Sequence, residues 1–410
     1  MPEKPAPIAK ITRPRIRGIF PRERLYRRLD ETRKYPVTWI SAPAGSGKTT
    51  LIAGFLEAKK IPCLWYQVDG GDTDPATFFY YMGQAAKKTS PTKRKPLPLL
   101  TREYFQDIPT FSLRYFENLF SRLKPPAIMV LDNYQTIPVE SFFHEVINNG
   151  FNAIPEGINV FVVSRHDPPP VLARLRANGQ MKILGWEDLR LTPEETRGIV
   201  PLKTRETPSP EVIEQLHQTA DGWVAGLVLM LESMKRGVEL QFIGKMASGE
   251  IIDYFWNEFY NKTDKEIQDF LLKTAFLPKI TLKAAEKLYG LSNADKILST
   301  FSRNNYFTER HYSKEPVYQY HPLFREFLMA RARETFSEVR LSTLLRQAAK
   351  LLEQDGQIEA AISLFRDLND WEEMVQLILK QAPSMVAEGR NRPLEEWLSS
   401  LPKGMMENNP

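Results

Sequence analysis

The stretch Trp39-Ile-Ser-Ala-Pro-Ala-Gly-Ser-Gly-Lys-Thr-Thr-Leu-Ile-Ala-Gly-Phe55 decides the fold. It opens inside a short apolar strand, "VTWIS" at 37–41, crosses a Gly/Ser loop, and continues as "TTLIAGFLEAKK" with helical spacing. Strand, loop and helix in that order are the context a phosphate-binding loop, G-x-x-x-x-G-K-[ST], requires. Ala42 stands at the first glycine, the least demanding position, where ordinary dihedrals suffice. Gly45 and Gly47 leave room for the turn and for close approach of a phosphate. Backbone N–H groups of the loop and the helix N-terminus face the anion. Lys48 is the cation for the terminal phosphates, and Thr49 offers a hydroxyl to magnesium. Ser46 and Thr50 complete the predicted contact set. A chance Gly-Lys-Thr in a flexible loop is the competing reading, and the flanking strand and helix argue against it.

Outward from the loop, strands alternate with helices. "CLWYQV", "PPAIMVLD", "INVFVVSR" and "MKILG" read as further strands. Helices are expected at "DPATFFYYMGQAAKK", capped by Asp74 with Pro75 first, at 112–123 and at "ESFFHEVINNG". Continuous apolar strands between helices predict a buried parallel sheet with helices on both faces. Asp132 ends the third strand, at the edge where ligands sit in such sheets, and is the candidate magnesium carboxylate. Asn133 follows where hydrolysing relatives of this architecture carry a second acid. Asn cannot act as a base, and Gln135 can at most position a water. Slow or absent hydrolysis is therefore expected, at most a slow ATPase. Arg165 ends the fourth strand and is placed to sense a third phosphate.

Past about Leu191 the pattern turns helical, with Gly222 as a breaker. "YFTERHYSKEPVYQYHPLFREFLMARARE" reads as strand, polar turn, strand and helix, which beside small helices suggests a winged helix. From Glu334 the chain reads as helix pairs with turn signals at Asp355-Gly356 and Arg392-Pro393. "NKTD" at 261–264 imitates a guanine-specificity motif but lies beyond the last strand of the sheet. Thr263 to Glu266 reads instead as a capping box. Cys63 is the single cysteine, so no internal disulfide forms. Its apolar run, with no histidine near it, predicts an unreactive strand thiol. His321 has no metal-binding cluster around it and reads by itself as a packed or surface histidine.

With 410 residues, about two to four domains are expected. A net charge of +5, from 55 basic and 50 acidic residues, is too mild to argue for nucleic acid. The basic run Lys87, Lys88, Lys93, Arg94, Lys95 reads as a solvated loop. No signal core and no apolar run long enough for a bilayer are present, so a cytoplasmic protein without membrane attachment is expected.

"FPRERLYRRLD", "SAPAGSGKTTL", "VLDNYQ", "VVSRHDPP", "LRLTPEE", "ADGWVAGL", "LLKTAFLPKIT" and "YQYHPLFREFL" follow one another across roughly residues 10–405. Their order resembles the signal-transduction ATPases with numerous domains, the STAND class, and within it large LuxR-family regulators of the maltose-activator type. The resemblance implies an α/β P-loop NTPase domain followed by a helical domain, a winged helix and an α-helical arm. The boundaries fall at 1–195, 196–255, 256–333 and 334–410, the arm leading toward a TPR-like sensor. It implies ATP or ADP with magnesium, Lys48 and Thr49 in the loop roles and Asp132 as metal carboxylate. Arg165 would sense phosphate, and Arg22 and Arg24 would lie at the base or ribose side. His321 resembles the winged-helix histidine that touches the ADP β-phosphate in resting members. Ala42, Asn133 and Val224 depart from the family's glycine, acid and proline.

The implied mechanism is a switch. ADP holds the module closed, an inducer acts on a sensor outside this chain, and ATP exchange permits self-assembly. DNA would be met only through a C-terminal domain outside the chain. The end at "KGMMENNP" falls within what resembles the arm, so a piece of a longer or split protein is expected. An ordinary P-loop ATPase, or a scaffold with a structural nucleotide, are the alternatives.

Overall fold

The computed structural model describes residues 8–16, 18–89, 97–100, 104, 106–204, 208–235, 249–258, 260–290, 292–311, 315–387 and 391–402. Of the basic run read as a loop, Lys87 and Lys88 instead end the helix Pro75–Thr89, and Lys93, Arg94 and Lys95, like the terminal "KGMMENNP", lie outside the described residues. The chain forms two compact units, Met1–Leu240 with Arg303–Tyr306, and Gln241–Ser302 with Phe307–Pro410.

The first unit is built on a five-stranded sheet. Its strands are β1 (Val37–Ser41), β2 (Cys63–Gln67), β3 (Ala127–Asp132), β4 (Ile158–Ser164) and β5 (Met181–Leu184). All pair in parallel, in the order β2-β3-β4-β1-β5. Every residue of β1, β3 and β4 is buried, whereas the edge strands β2 and β5 each expose a residue. This is why the central strands read as unbroken apolar runs.

Helix α1 (Glu23–Thr32) precedes the sheet, and α2 (Lys48–Ala58) follows the loop. Phe55 of α2 stacks on Phe161 of β4. On the other face, Val160 and Val162 belong to the core formed with Phe78 of α3 (Pro75–Thr89), Phe116 of α4 (Ile108–Phe120) and Phe143 of α5 (Phe143–Asn152). Helices thus cover both faces. α4 begins at Ile108, ahead of the expected Ser112, because the Asp107 carboxylate caps it by accepting from the Thr110 N–H. A short helix α6 (Ala173–Ala177) and a one-turn helix α7 (Trp186–Leu189) flank β5. Helices α8 (Pro193–Lys203), α9 (Pro210–Ala220) and α10 (Val224–Lys235) follow. Thr192 and Glu195 form a capping box on α8, and Gly222, at φ 76°, breaks the chain between α9 and α10.

The second unit holds a three-stranded antiparallel sheet of β6 (Ile280–Thr281), β7 (Thr308–His311) and β8 (Val317–Tyr320), ordered β6-β8-β7. Helices Lys265–Thr274, Leu282–Tyr289, Ala294–Arg303 and Pro322–Thr335 accompany it, the winged-helix pattern read from sequence. Phe255, Phe307, Phe324 and Phe327 pack into its aromatic centre. The helical arm follows, with helices Glu338–Gln354, Ile358–Asp367, Trp371–Ala387 and Asn391–Ser399.

Two local expectations fail. No capping box forms at 263–266, because the Thr263 hydroxyl donates to the Tyr260 carbonyl and leaves Asp264 as an N-cap without a side-chain bond. Arg392-Pro393 lies in the first turn of a helix rather than between helices, a position proline tolerates.

Candidate nucleotide-binding site

Strand order sets the site. β4 lies between β1 and β3, so its C-terminal end comes between the phosphate loop and Asp132. Arg165 is the first residue beyond β4. It lines a cavity of about 250 Å³ together with Gly45, Gly47, Lys48, Thr49, Thr50, Asp132, Asn133 and Gln135. The structure thus gathers most of the residues singled out from the sequence around one cleft.

The loop has the geometry its residues require. Gly45 and Gly47 take φ values of 71° and 83°, a left-handed region costly for other residues. Ala42 is fully buried, keeps ordinary dihedrals, and its N–H reaches the Ser164 carbonyl at 3.4 Å. Ser46 is also buried, and its hydroxyl accepts from Lys48 Nζ at 3.3 Å.

The Lys48 ammonium folds back onto the carbonyls of Ala42 and Pro43, at 2.7 Å each. Burial pulls this group down to about 7, with the charge of Arg165 adding to the shift and Asp132 opposing it. A cation held dry against neutral carbonyls is the chemistry of a cradle suited to an anion. Thr49 Oγ1 donates to both Asp132 carboxylate oxygens, at 3.0 and 3.2 Å. Burial raises the Asp132 carboxyl, against the opposing hydrogen bonds from Thr49 and the Asn133 N–H and the charge of Lys48.

Asn133 sits at φ 66°, the left-handed conformation that Asn tolerates better than most residues. Its backbone N–H donates to Asp132 Oδ1 at 3.0 Å. Its Oδ1 accepts from Gln135 Nε2 at 2.8 Å, and Gln135 Oε1 accepts from the Arg165 N–H at 3.1 Å. Asp132, Asn133, Gln135 and Arg165 are therefore joined in one hydrogen-bonded chain across the sheet edge.

Residues that the sequence did not single out complete the surroundings. Asn305 Nδ2 donates to Ser41 Oγ and to the Arg165 carbonyl, both at 2.9 Å. The Tyr306 hydroxyl lies 3.3 Å from His166 Nε2. Burial pulls His166 down to about 4, aided by Arg165 and Lys48, which keeps it neutral. Nothing local marks Asn305 or Tyr306, because their partners are more than a hundred residues away.

Trp223 was legible only through the resemblance. Its Nε1 donates to the Ala44 carbonyl at 2.8 Å, and the Ala225 N–H donates to the Gly45 carbonyl at 2.9 Å. A Cβ at Gly47 would stand 3.6 Å from Val224. The segment reaches the loop with valine where the resemblance implied proline.

A second cavity, of about 230 Å³, shares Gly47 and Thr50 with the first. Its walls are Ile19, Phe20, Ile199, Leu202, Val224 and Val228. Arg22 borders it and Arg24 does not. Both arginines converge on Glu195. Arg22 donates to it at 2.8 and 3.1 Å and to the carbonyls of Leu189 and Arg190, while Arg24 donates at 3.3 Å and to the carbonyls of Asp188 and Arg190. Burial works to raise Glu195, and the two arginines outweigh it and hold the carboxyl low. They clamp the start of α1 to α8. His321 belongs to the second unit, buried at the N-cap of Pro322–Thr335, with its N–H donating to the Phe307 carbonyl at 2.8 Å.

Fold and site together define a P-loop NTPase fold that carries a winged helix and a helical arm. Residues 256–340 match the family described as the MalT winged helix domain. The chain is 27% identical over 410 residues to the HTH-type transcriptional regulator MalT of Cronobacter sakazakii, an alignment covering 98% of this chain and 45% of that protein. It therefore spans less than half the length of that relative. A Walker-type ATPase of Pyrococcus abyssi superposes with a TM-score of 0.52 at 13% identity, covering 76% of this chain and 96% of that one. A STAND protein with a tetratricopeptide repeat sensor from Pyrococcus horikoshii gives a TM-score of 0.38 at 18% identity, over 97% and 55%. The likeness to MalT regulators extends over nearly the whole chain.

Proposed function

We propose that this chain is the nucleotide-controlled switch of a longer regulator. It holds an adenine nucleotide, ADP at rest and ATP when active, and assembles with copies of itself in the ATP state. The phosphates take the loop amides of Gly45 to Thr50 and the Lys48 ammonium. Thr49 and Asp132 are the ligands for magnesium, which when bound neutralises phosphate charge. The apolar cavity beside Gly47 takes the nucleoside.

The observation that supports a switch over an engine is the chain from Asp132 through Asn133 and Gln135 to Arg165. Neither Asn133 nor Gln135 can accept a proton as a base, and both ends of the Gln135 amide are engaged. The same chain ties the backbone of Arg165 to the magnesium carboxylate, an arrangement that suits sensing of phosphate. Arg22 and Arg24 act by fixing the wall of the nucleoside cavity. His321 takes the role the resemblance gives it, reporting ADP to the winged helix. The division at 195, 255 and 333 belongs to the same proposal, as do a cytoplasmic location, an inducer on a sensor outside the chain, and DNA contact through a segment beyond it. Among the described residues no helix is long and apolar enough to cross a membrane.

Moving such a switch from 1:99 to 99:1 takes roughly 5.5 kcal/mol of differential binding. A single phosphate contact does not supply that, so inducer and assembly contacts must share it. The test is mass-spectrometric identification of co-purifying nucleotide, with light scattering in ADP and in ATP. Adenine nucleotide, a larger species in ATP, and slow phosphate release are expected. His321→Ala should raise assembly in ADP. Absence of nucleotide binding, or brisk turnover, would refute the reading.

A further inference from the structure

A third cavity, of about 570 Å³, lies away from the phosphate loop. Its roof is the segment 11–16, and its floor includes Cys63 and Trp65 of β2, Glu57 at the end of α2, and Lys88 and Thr89 at the end of α3.

The roof is fixed at both ends. Lys10 Nζ lies 2.6 Å from an Asp69 oxygen and 2.9 Å from an Asp72 oxygen. At the other end, a Cβ at Gly54 would meet Ile19 at 2.9 Å and Ile16 at 3.4 Å, so the segment lies directly on α2. A strap pinned in this way encloses a formed cavity.

Its charge is one-sided. Arg13, Arg15 and Lys88 line it against one carboxylate, Glu57. Among the described residues none of the three cations sits in an ion pair. Lys88 Nζ donates only to neutral oxygens, the Ile11 carbonyl at 3.2 Å and Thr12 Oγ1 at 2.6 Å. Arg13 lies against the Cys63 thiol, a neighbour 50 residues away that the sequence around the cysteine gives no sign of. Concave sites lined by unpaired cations concentrate anions, and a volume of this size suits a small molecule. Buried Trp65, with Ile11 and Ile16, gives the same cavity an apolar side.

We infer that this cavity is a second ligand site, separate from the phosphate loop, for a small multiply charged anion bearing carboxylate or phosphate groups. A nucleic-acid backbone is the competing polyanion. A pinned, partly apolar hollow fits a small body better than an open basic stripe fits a strand. The strap that roofs the cavity runs on through Ile19 and Phe20 into the wall of the nucleoside cavity, so the ligand would bear on that wall from behind.

The site can be tested with the phosphate loop disabled, which separates it from the nucleotide reading. Citrate and inorganic phosphate are titrated calorimetrically into the full chain carrying Lys48→Ala, at constant ionic strength. One site is expected for at least one of the two anions. Adding Arg13→Gln and Lys88→Gln should weaken it at least about 10-fold, and Arg15→Gln, at an exposed position that should leave folding unaffected, several-fold. The sole cysteine locates the ligand, since the bound anion should slow Cys63 alkylation by neutral N-ethylmaleimide and the double substitution should remove that protection. Absence of binding by both anions, binding unchanged by Arg15→Gln and by the double substitution, or tight binding of a single-stranded oligonucleotide without either small anion, overturns the inference.

Discussion

The phosphate cleft and the apolar cavity beside it share Gly47 and Thr50 and are built in opposite ways. The cleft is made from chain ends of adjacent strands, in short motifs with fixed spacing. The cavity sets Ile19-Phe20, Ile199 to Leu202, and Val224 to Val228, pieces distant in sequence, against Tyr26 and Leu51, brought together by helix packing. One is polar, and its residue types name their chemistry. The other is apolar, and its residue types are those of any core. A nucleotide spanning both would be recognised by backbone and charge at one end and by shape at the other.

The sharpest way to break this comparison is to remove the cation. Lys48→Ala should weaken ATP binding by roughly 100-fold or more, since charge-assisted hydrogen bonds contribute about 1.5–3 kcal/mol each. Calorimetry decides, and retained affinity would mean that the cleft does not carry the phosphates.

Gly198→Ala probes the other side alone. A Cβ there would stand 2.1 Å from the Phe20 ring, so the ring must move into or out of the cavity it walls. ATP affinity should fall about 10-fold while tripolyphosphate affinity stays unchanged. An equal loss for both ligands would merge the two regions into one.

Trp223→Phe removes the indole bond to the Ala44 carbonyl, at the seam between them. A loss of about 0.5–1.5 kcal/mol, a few-fold to about 10-fold in affinity, is expected from the hydrogen bond.

The smallest effect is a proton. Lys48 titrates near 7 in the folded chain and at 10.5 in its ordinary state. Phosphate charge restores the ordinary range, so ATP binding between those limits should take up close to one proton. Binding enthalpies at pH 8 in buffers of different ionisation heat measure it. Stability of the nucleotide-free chain has the matching sign. The unfolded chain holds this proton across the window and the folded chain does not, so this contribution rises with pH from about 7 to 10.5.

The legible part of the site follows from where its information lies. Gly45 to Thr50 form one turn of loop and helix, and Asp132 and Arg165 mark strand ends, so local pattern suffices. Asn133 showed its chemical limit in sequence, and the structure adds a conformational reason, since its backbone at φ 66° is one that asparagine accommodates. Asn305, Tyr306 and the lining of the apolar cavity have no local pattern at all. Cys63 shows the same limit. Its apolar run predicted an inert strand thiol, and folding brings Arg13 to it from 50 residues away.

What the sequence by itself determined is the alternating α/β order, the glycine loop between β1 and α2, and the lack of a base after Asp132, because these depend on residues within one or two turns of each other. Only the tertiary structure decided that β4 lies between β1 and β3, which carries Arg165 to the loop, and that Trp223, just before α10, holds that loop. Strand order and helix docking are settled by burial of surfaces far apart in the chain, and such burial leaves no periodic mark on the residues that share it.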